Sequence, residues 1–207
     1  RCGEHVVSAP ASRGYLIAGL LLAIGGVVCF SIRPIFIKLA YAHVVDPVTL
    51  LALRMLFSAP FFIAMAWWAG RRPDVPPITR PDWLRLAWLG FIGYYLASLL
   101  DFMGLVYITA ALERLVLFLY PTMVVVLSAV MRGRPITRRQ VLALLVSYGG
   151  IAFVFASDLR LPGDRSATLV GGALVFGSAL AYALYLVDAG AVIARLGSLR
   201  FIAWAML

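Results

Sequence analysis

Arg33, Arg54, Asp101, Glu113, Arg114 and Asp188 are charged side chains inside, or at the rim of, stretches that otherwise carry no charge. Near the centre of a bilayer each would cost about 2.5–3.5 kcal/mol on insertion scales, so each needs a partner or a task. Guanidinium and carboxylate can supply both: together they form a two-pronged ion pair, and apart they are the groups with which a membrane-embedded site grips a solute. Depth sorts them. With a rise of 1.5 Å per residue, Arg33 lies ~12 Å from the end of its helix near Tyr41, and Arg54 and Asp101 lie ~10 Å from the same side. Glu113, in the first turn of the next helix and beside Arg114, sits closer to that side, at roughly 4–5 Å. Two readings of this layer stand: structural ion pairing, and pairing that also lines a solute path. Arg54 and Asp101 are expected to pair, directly or through one bridging group such as water or Tyr94, since they share a depth on consecutive antiparallel helices, with Arg33 the next candidate for Asp101.

Two tyrosines join the candidates. Gly90, Tyr94, Ala97, Asp101 and Gly104 recur at spacings of three and four, a small and polar stripe that should face protein or a cavity and not lipid. On the following helix Glu113, Leu117, Tyr120, Val124 and Ser128 form a similar face, and Pro121 should free the Leu117 carbonyl and kink the chain there. Tyr120 beside that carbonyl is either a polar cavity site or a packed ring at a tolerated bend. Ala173, Gly177 and Ala181 allow close helix approach. Asp188, seven residues before Arg195, can reach the interface and is a weaker candidate acid.

The elements that must position these residues are uncharged runs. Tyr15–Ile32, Met55–Gly70, Leu86–Leu100, Leu115–Met131, Gln140–Ser157 and Ser166–Val187 contain no Asp, Glu, Lys or Arg. Their length approaches the roughly 20 residues of a spanning helix, and their uniform apolarity lacks the alternation of barrel strands. Helices are expected at 14–41, 48–70, 82–108, 110–131, 138–157 and 168–194, with a seventh from Ser198. The expected fold is an all-α integral membrane protein, a polytopic helical bundle whose loops are too short to be domains.

Composition excludes other classes. The chain is 63% hydrophobic and 13% charged, with a mean hydropathy of +0.98, outside the range of soluble globular domains. A net charge of +9 could suggest nucleic acid, but the arginines cluster in loops between spans, where sidedness explains them. Arg1, Arg13, Arg71, Arg72, Arg80, Arg85, Arg132, Arg134, Arg138, Arg139, Arg195 and Arg200 fall on one side, against Lys38, Arg114, Arg160 and Arg165 on the other. That side, with the N-terminus, should be cytoplasmic. His5 and His43 are the only histidines, no HExxH, GxSxG or P-loop spacing occurs, and neither a metal nor a cofactor is expected. Cys2 and Cys29 read as free thiols. Ala9-Pro10-Ala11 precedes the first apolar run, so that helix should itself serve as the targeting signal. A chain that starts at Arg1 and stops within FIAWAML reads as a piece of a longer protein.

An internal echo is present. GLLLAIGGVVCF at Gly19–Phe30 resembles GALVFGSALAY at Gly172–Tyr182 with Gly25 against Gly177, and LALRML at Leu51–Leu56 resembles IAWAML at Ile202–Leu207, a weak signal by itself because Gly, Ala and Leu dominate all such helices. If the echo marks a repeat, the unit contains five helices, and an odd number inverts the second copy in the membrane, a construction used by many secondary transporters.

FSIRPIFIKLAYAHVVDPVTLLALRMLFSAPFF (Phe30–Phe62), LDFMGLVYITAALERLVLFLYPTMVVVLSAV (Leu100–Val130) and GSALAYALYLV (Gly177–Val187) resemble EamA-type members of the drug/metabolite transporter superfamily. The resemblance runs from Gly14 onward. It implies a ten-helix inner-membrane carrier of two inverted repeats, the first at 14–157 and the second beginning at 168–207. With the topology it makes the leading expectation a secondary carrier of a small organic metabolite, working by alternating access. Its partners would be that solute, the lipid bilayer and, as a homodimer, a second copy. A non-transporting membrane subunit or scaffold is the alternative, and an intramembrane enzyme acting on lipid would need a constellation that the sequence lacks. Arg33, Arg54, Tyr94, Asp101, Glu113 and Tyr120 are the candidate cavity residues.

Overall fold

The computed structural model describes residues 13–43, 45–71, 78–133, 136–158 and 165–207. Expectations on Cys2, His5, Ala9-Pro10-Ala11, Arg72, Arg134 and Arg160 lie outside these residues. The described chain is helical: α1 (Arg13–Tyr41), α2 (Pro47–Gly70), α3 (Arg80–Tyr107), α4 (Ala110–Arg132), α5 (Arg138–Asp158), α6 (Arg165–Leu196) and α7 (Ser198–Ala205). Among the described residues, α1 from Ile17, α2, α3, α4 and α6 are long and apolar enough to cross a membrane. This is an all-α polytopic membrane protein. Helices satisfy their backbone amides within the segment, the condition lipid imposes.

Local chemistry sets the ends. Asp46 caps α2 by accepting from the Thr49 N–H at 3.0 Å, with Pro47 in the first turn where no donor is missed. Bonding from Thr49 holds the exposed Asp46 carboxyl below its usual range. At the start of α3 the Asp82 carboxylate accepts from the Thr79 N–H at 2.7 Å and its hydroxyl at 2.6 Å. Arg195 near the end of α6 forms an ion pair with the same Asp82, which ties the two helix ends together at the face where α1 begins.

α6 is the organising helix, packed against α3, α4 and α7. Gly104 and Gly171 let it approach α3: a Cβ on Gly104 would stand 2.9 Å from the Gly171 carbonyl oxygen. The expected stripe Ala173, Gly177 and Ala181 is only partly the seam. Ala173 is exposed, Gly177 meets the Leu100 side chain, and Ala181 is buried. The closest approach runs through Gly171 and Val175, which lie on the side of α6 that α3 reaches. Toward the α1-start face, Leu86, Leu89, Tyr185, Leu196 and Phe201 form a core between α3, α6 and α7. Toward the other face, Ile108, Leu112, Val116 and Val175 pack α4 on α6, and Ile37, Leu51, Phe102 and Leu105 pack α1 and α2 on α3.

Two helices are irregular at mid-length. In α3 the segment Phe91–Leu96 is wound as a π-helix, and the Ala97 N–H reaches back to the Ile92 carbonyl. In α4 the helix breaks at Phe118–Leu119 and resumes at Tyr120, so Pro121 stands in the first turn of a new segment. The expected kink is therefore a break: proline has no N–H for the Leu117 carbonyl, and the chain uses that gap to restart.

Candidate functional site

The stripe on α3 faces protein, as its composition implies. Gly90, Ala97, Asp101 and Gly104 are buried and Tyr94 half-buried. Where it meets α4 lies an ion-pair layer. Asp101, 1% exposed, accepts a hydrogen bond and an ion pair from the Arg33 guanidinium of α1. Arg33 also stands 3.7 Å from a carboxylate oxygen of Glu113, which is fully buried, and the Arg114 Nε stands 3.5 Å from the other oxygen. Arg114 in turn donates to the Phe30 carbonyl and lies over the Phe30 ring at 4.2 Å. Arg33 thus bridges two carboxylates that come from different helices.

This corrects the expected Arg54–Asp101 pair. Asp101 is held by Arg33, and Arg54 donates instead to the Ser98 hydroxyl at 3.3 Å, one turn of α3 away. The helical rise places all three at one depth, but only Arg33 approaches α3 on the side that Asp101 faces. Both guanidiniums flank the Phe102 ring, each 5.8 Å from its centroid.

Beside this layer, midway along the bundle, α1, α2, α3, α4 and α6 enclose a cavity of about 250 Å³. Arg33, Arg54, Tyr94 and Tyr120 line it, while Asp101 and Glu113 stand behind Arg33 and outside its wall. The structure adds Phe30, Ser98, Leu117, Ser178 and Tyr182. Ser98 was legible as the polar neighbour of Ala97 on the small-residue stripe, and Ser178 as a hydroxyl beside Gly177. Ser178 donates to the Ala97 carbonyl at 2.7 Å and so fastens α6 to α3. Tyr182 had no such signal in an apolar helix. The π-helical turn delivers Gly93 and Tyr94 to the cavity, and the restart of α4 delivers Tyr120. A Cβ on Gly93 would meet the Tyr185 side chain, so glycine there admits the ring.

Aromatic rings form the end of the cavity toward the α1-start face. The Tyr94 and Tyr185 hydroxyls share a hydrogen bond at 2.9 Å, Tyr182 stacks on Tyr185 at 5.6 Å, and Tyr120 meets Tyr182 edge-on at 5.1 Å. Asp188 lies elsewhere, exposed, in a separate recess with Arg85 and Arg132. Cys29 is a free, exposed thiol. A cavity with a few placed polar groups on apolar walls is the form of a small-solute site. It is also close to the lower limit of such sites, which run from ~300 Å³.

Residues 17–156 match the model of the EamA-like transporter family. The uncharacterized transporter YcbK of Bacillus subtilis (strain 168) is 31% identical over 196 residues, which cover 91% of this chain and 60% of that protein. The chain therefore spans about 60% of the length of the curated relative that it matches. No solved structure matches it.

Proposed function

We propose that this chain, which belongs to the EamA-like transporter family, carries a small organic solute across the inner membrane by alternating access. The cavity between α1, α2, α3, α4 and α6 is its binding site, and the α1-start face with the N-terminus is cytoplasmic. The observation that carries this reading is the cavity itself: polar groups converge midway along helices long enough to span a bilayer. In a scaffold that depth would be filled by side chains, since interiors pack to crystal density. Arg33, Arg54, Tyr94 and Tyr120 contact the solute, while Asp101 and Glu113 hold Arg33 in place.

The irregular turns support movement. A π-helical turn and a proline break both lie on the cavity wall, and such features let a helix bend without losing many backbone bonds. In this reading residues 14–157 form a first five-helix repeat and α6 begins an inverted second one, in the manner of transporters that rock one repeat against the other.

Accessibility tests it. With Cys2 and Cys29 replaced, Ser98→Cys should react with a membrane-impermeant thiol reagent from either side, in intact cells and in inverted vesicles. Labelling from neither side would mean a closed interior, and the scaffold reading would replace the carrier.

A further inference from the structure

We infer that the solute of the mid-depth cavity is an organic monoanion, its carboxylate bound by the Arg54 guanidinium and its apolar body held by the surrounding rings. This rests on the carrier reading above. The argument is one of charge. Arg33, Arg54 and Arg114 share the layer with Asp101 and Glu113. Even with both carboxylates ionised, one positive charge is left over. Arg33 is paired with Asp101 and lies near Glu113, and Arg114 lies near Glu113. Among the described residues Arg54 has no ion-pair partner: it bonds the Ser98 hydroxyl and lies over the Phe102 ring, while Arg33 and Asp101 act on it only through space and with opposite sign. The excess therefore resides on Arg54, whose head lines the cavity.

A hydroxyl and a ring face solvate a guanidinium but do not balance its charge, and the surrounding low dielectric makes the imbalance matter. One bond to Ser98 leaves further N–H groups of the fork free for the two oxygens of a carboxylate. Two of the other polar groups already have partners: Ser178 donates to the Ala97 carbonyl and Tyr94 shares a hydrogen bond with Tyr185. With both carboxylates ionised as their arginine partners favour, the single unbalanced charge calls for a monoanion and not a dianion. The walls contributed by Phe30, Leu117, Tyr120 and Tyr182 take an apolar body.

A second opening fits the same class. Arg33 and Arg54 also line a groove between α1 and α2, walled by Phe36, Leu53, Phe57 and Phe102. The guanidiniums stand at the partition between cavity and groove, so one head-group site serves an apolar body on either side.

The test is equilibrium binding to the purified full chain in detergent, with three probes of one shape: benzoate, benzyl alcohol and benzylammonium. Benzoate should bind best, and Arg54→Met should weaken it roughly 10- to 100-fold, the loss of a charge-assisted hydrogen bond. Arg54→Lys, which keeps the charge and loses the fork, should fall between the two and guards against a Met variant that does not fold. Preference for benzyl alcohol or benzylammonium would overturn the monoanion while the carrier reading stands. Benzoate binding unchanged in both variants would remove Arg54 from the site. Binding of none of the three would overturn the solute cavity, and with it both readings.

Discussion

At the scale of residues, the ion-pair layer is held by Arg33, which joins Asp101 on α3 to Glu113 on α4. Asp101 and Glu113 are buried, so the removal of Arg33 strands the Asp101 carboxylate away from water, while Glu113 keeps Arg114 at 3.5 Å. Breaking a buried pair from one side costs about 3–5 kcal/mol, whereas removing both partners costs less because no lone charge remains. Arg33→Ala and Asp101→Ala should each lower stability in detergent, and the double variant should lose clearly less than the sum. Thermal unfolding of the four proteins of that cycle measures it. Additive losses would show that Arg33 and Asp101 are not energetically coupled. The same cycle run on Arg54 and Asp101 should show a clearly smaller coupling, since Arg54 bonds Ser98 and feels Asp101 only through space.

At the scale of elements, the seam between α3 and α6 depends on two glycines. A Cβ at Gly104 meets Val175 and the Gly171 carbonyl, and a Cβ at Gly171 stands 2.8 Å from the Tyr107 Cβ. Backbone cannot yield there as a side-chain tip can, so Gly104→Ala should destabilise by roughly 1–3 kcal/mol, the usual cost of overpacking. Gly25, on the outer surface of α1, is open: a Cβ added to it would meet nothing within 4 Å. Gly25→Ala should therefore be neutral or slightly stabilising, because alanine suits a helix interior better than glycine. The melting temperatures of the two variants separate a packing role from a general intolerance of larger residues.

At the scale of the whole molecule, sidedness follows from the basic residues. α2 ends before Arg71 and α4 before Gly133, on the face that carries Arg80, Arg85, Arg132, Arg138 and Arg195. Translocating these arginines against the positive-inside bias is unfavourable, so this face should be cytoplasmic. Single cysteines at Thr79 or Thr137 should resist an impermeant reagent in intact cells and react once the membrane is opened. Strong labelling in intact cells would reverse the orientation of every helix, and the cavity would keep its residues but change its side of entry.

The number and limits of the described helices were legible in the sequence, because a bilayer demands local properties: uninterrupted apolarity over a fixed length, charges at the ends and turn residues between; the EamA-like family was legible separately, in the resemblance carried by segments such as Leu100–Val130. The α3 stripe and an irregularity around Pro121, expected as a kink and found as a break at Phe118–Leu119, were legible for the same reason, since periodicity and a missing N–H act within one helix. The shared depth of Arg33, Arg54 and Asp101 was legible too. What the sequence left open was direction around each helix axis. Arg33 and Arg54 lie at similar depth, yet Arg33 faces Asp101 and Arg54 faces Ser98. Glu113, which the helical rise alone puts nearer the membrane surface, is drawn into the layer from α4. Helical rise fixes a residue's height, but only the packing of α1, α2 and α4 on α3 fixes which guanidinium meets which carboxylate, and so which one is left to face the cavity.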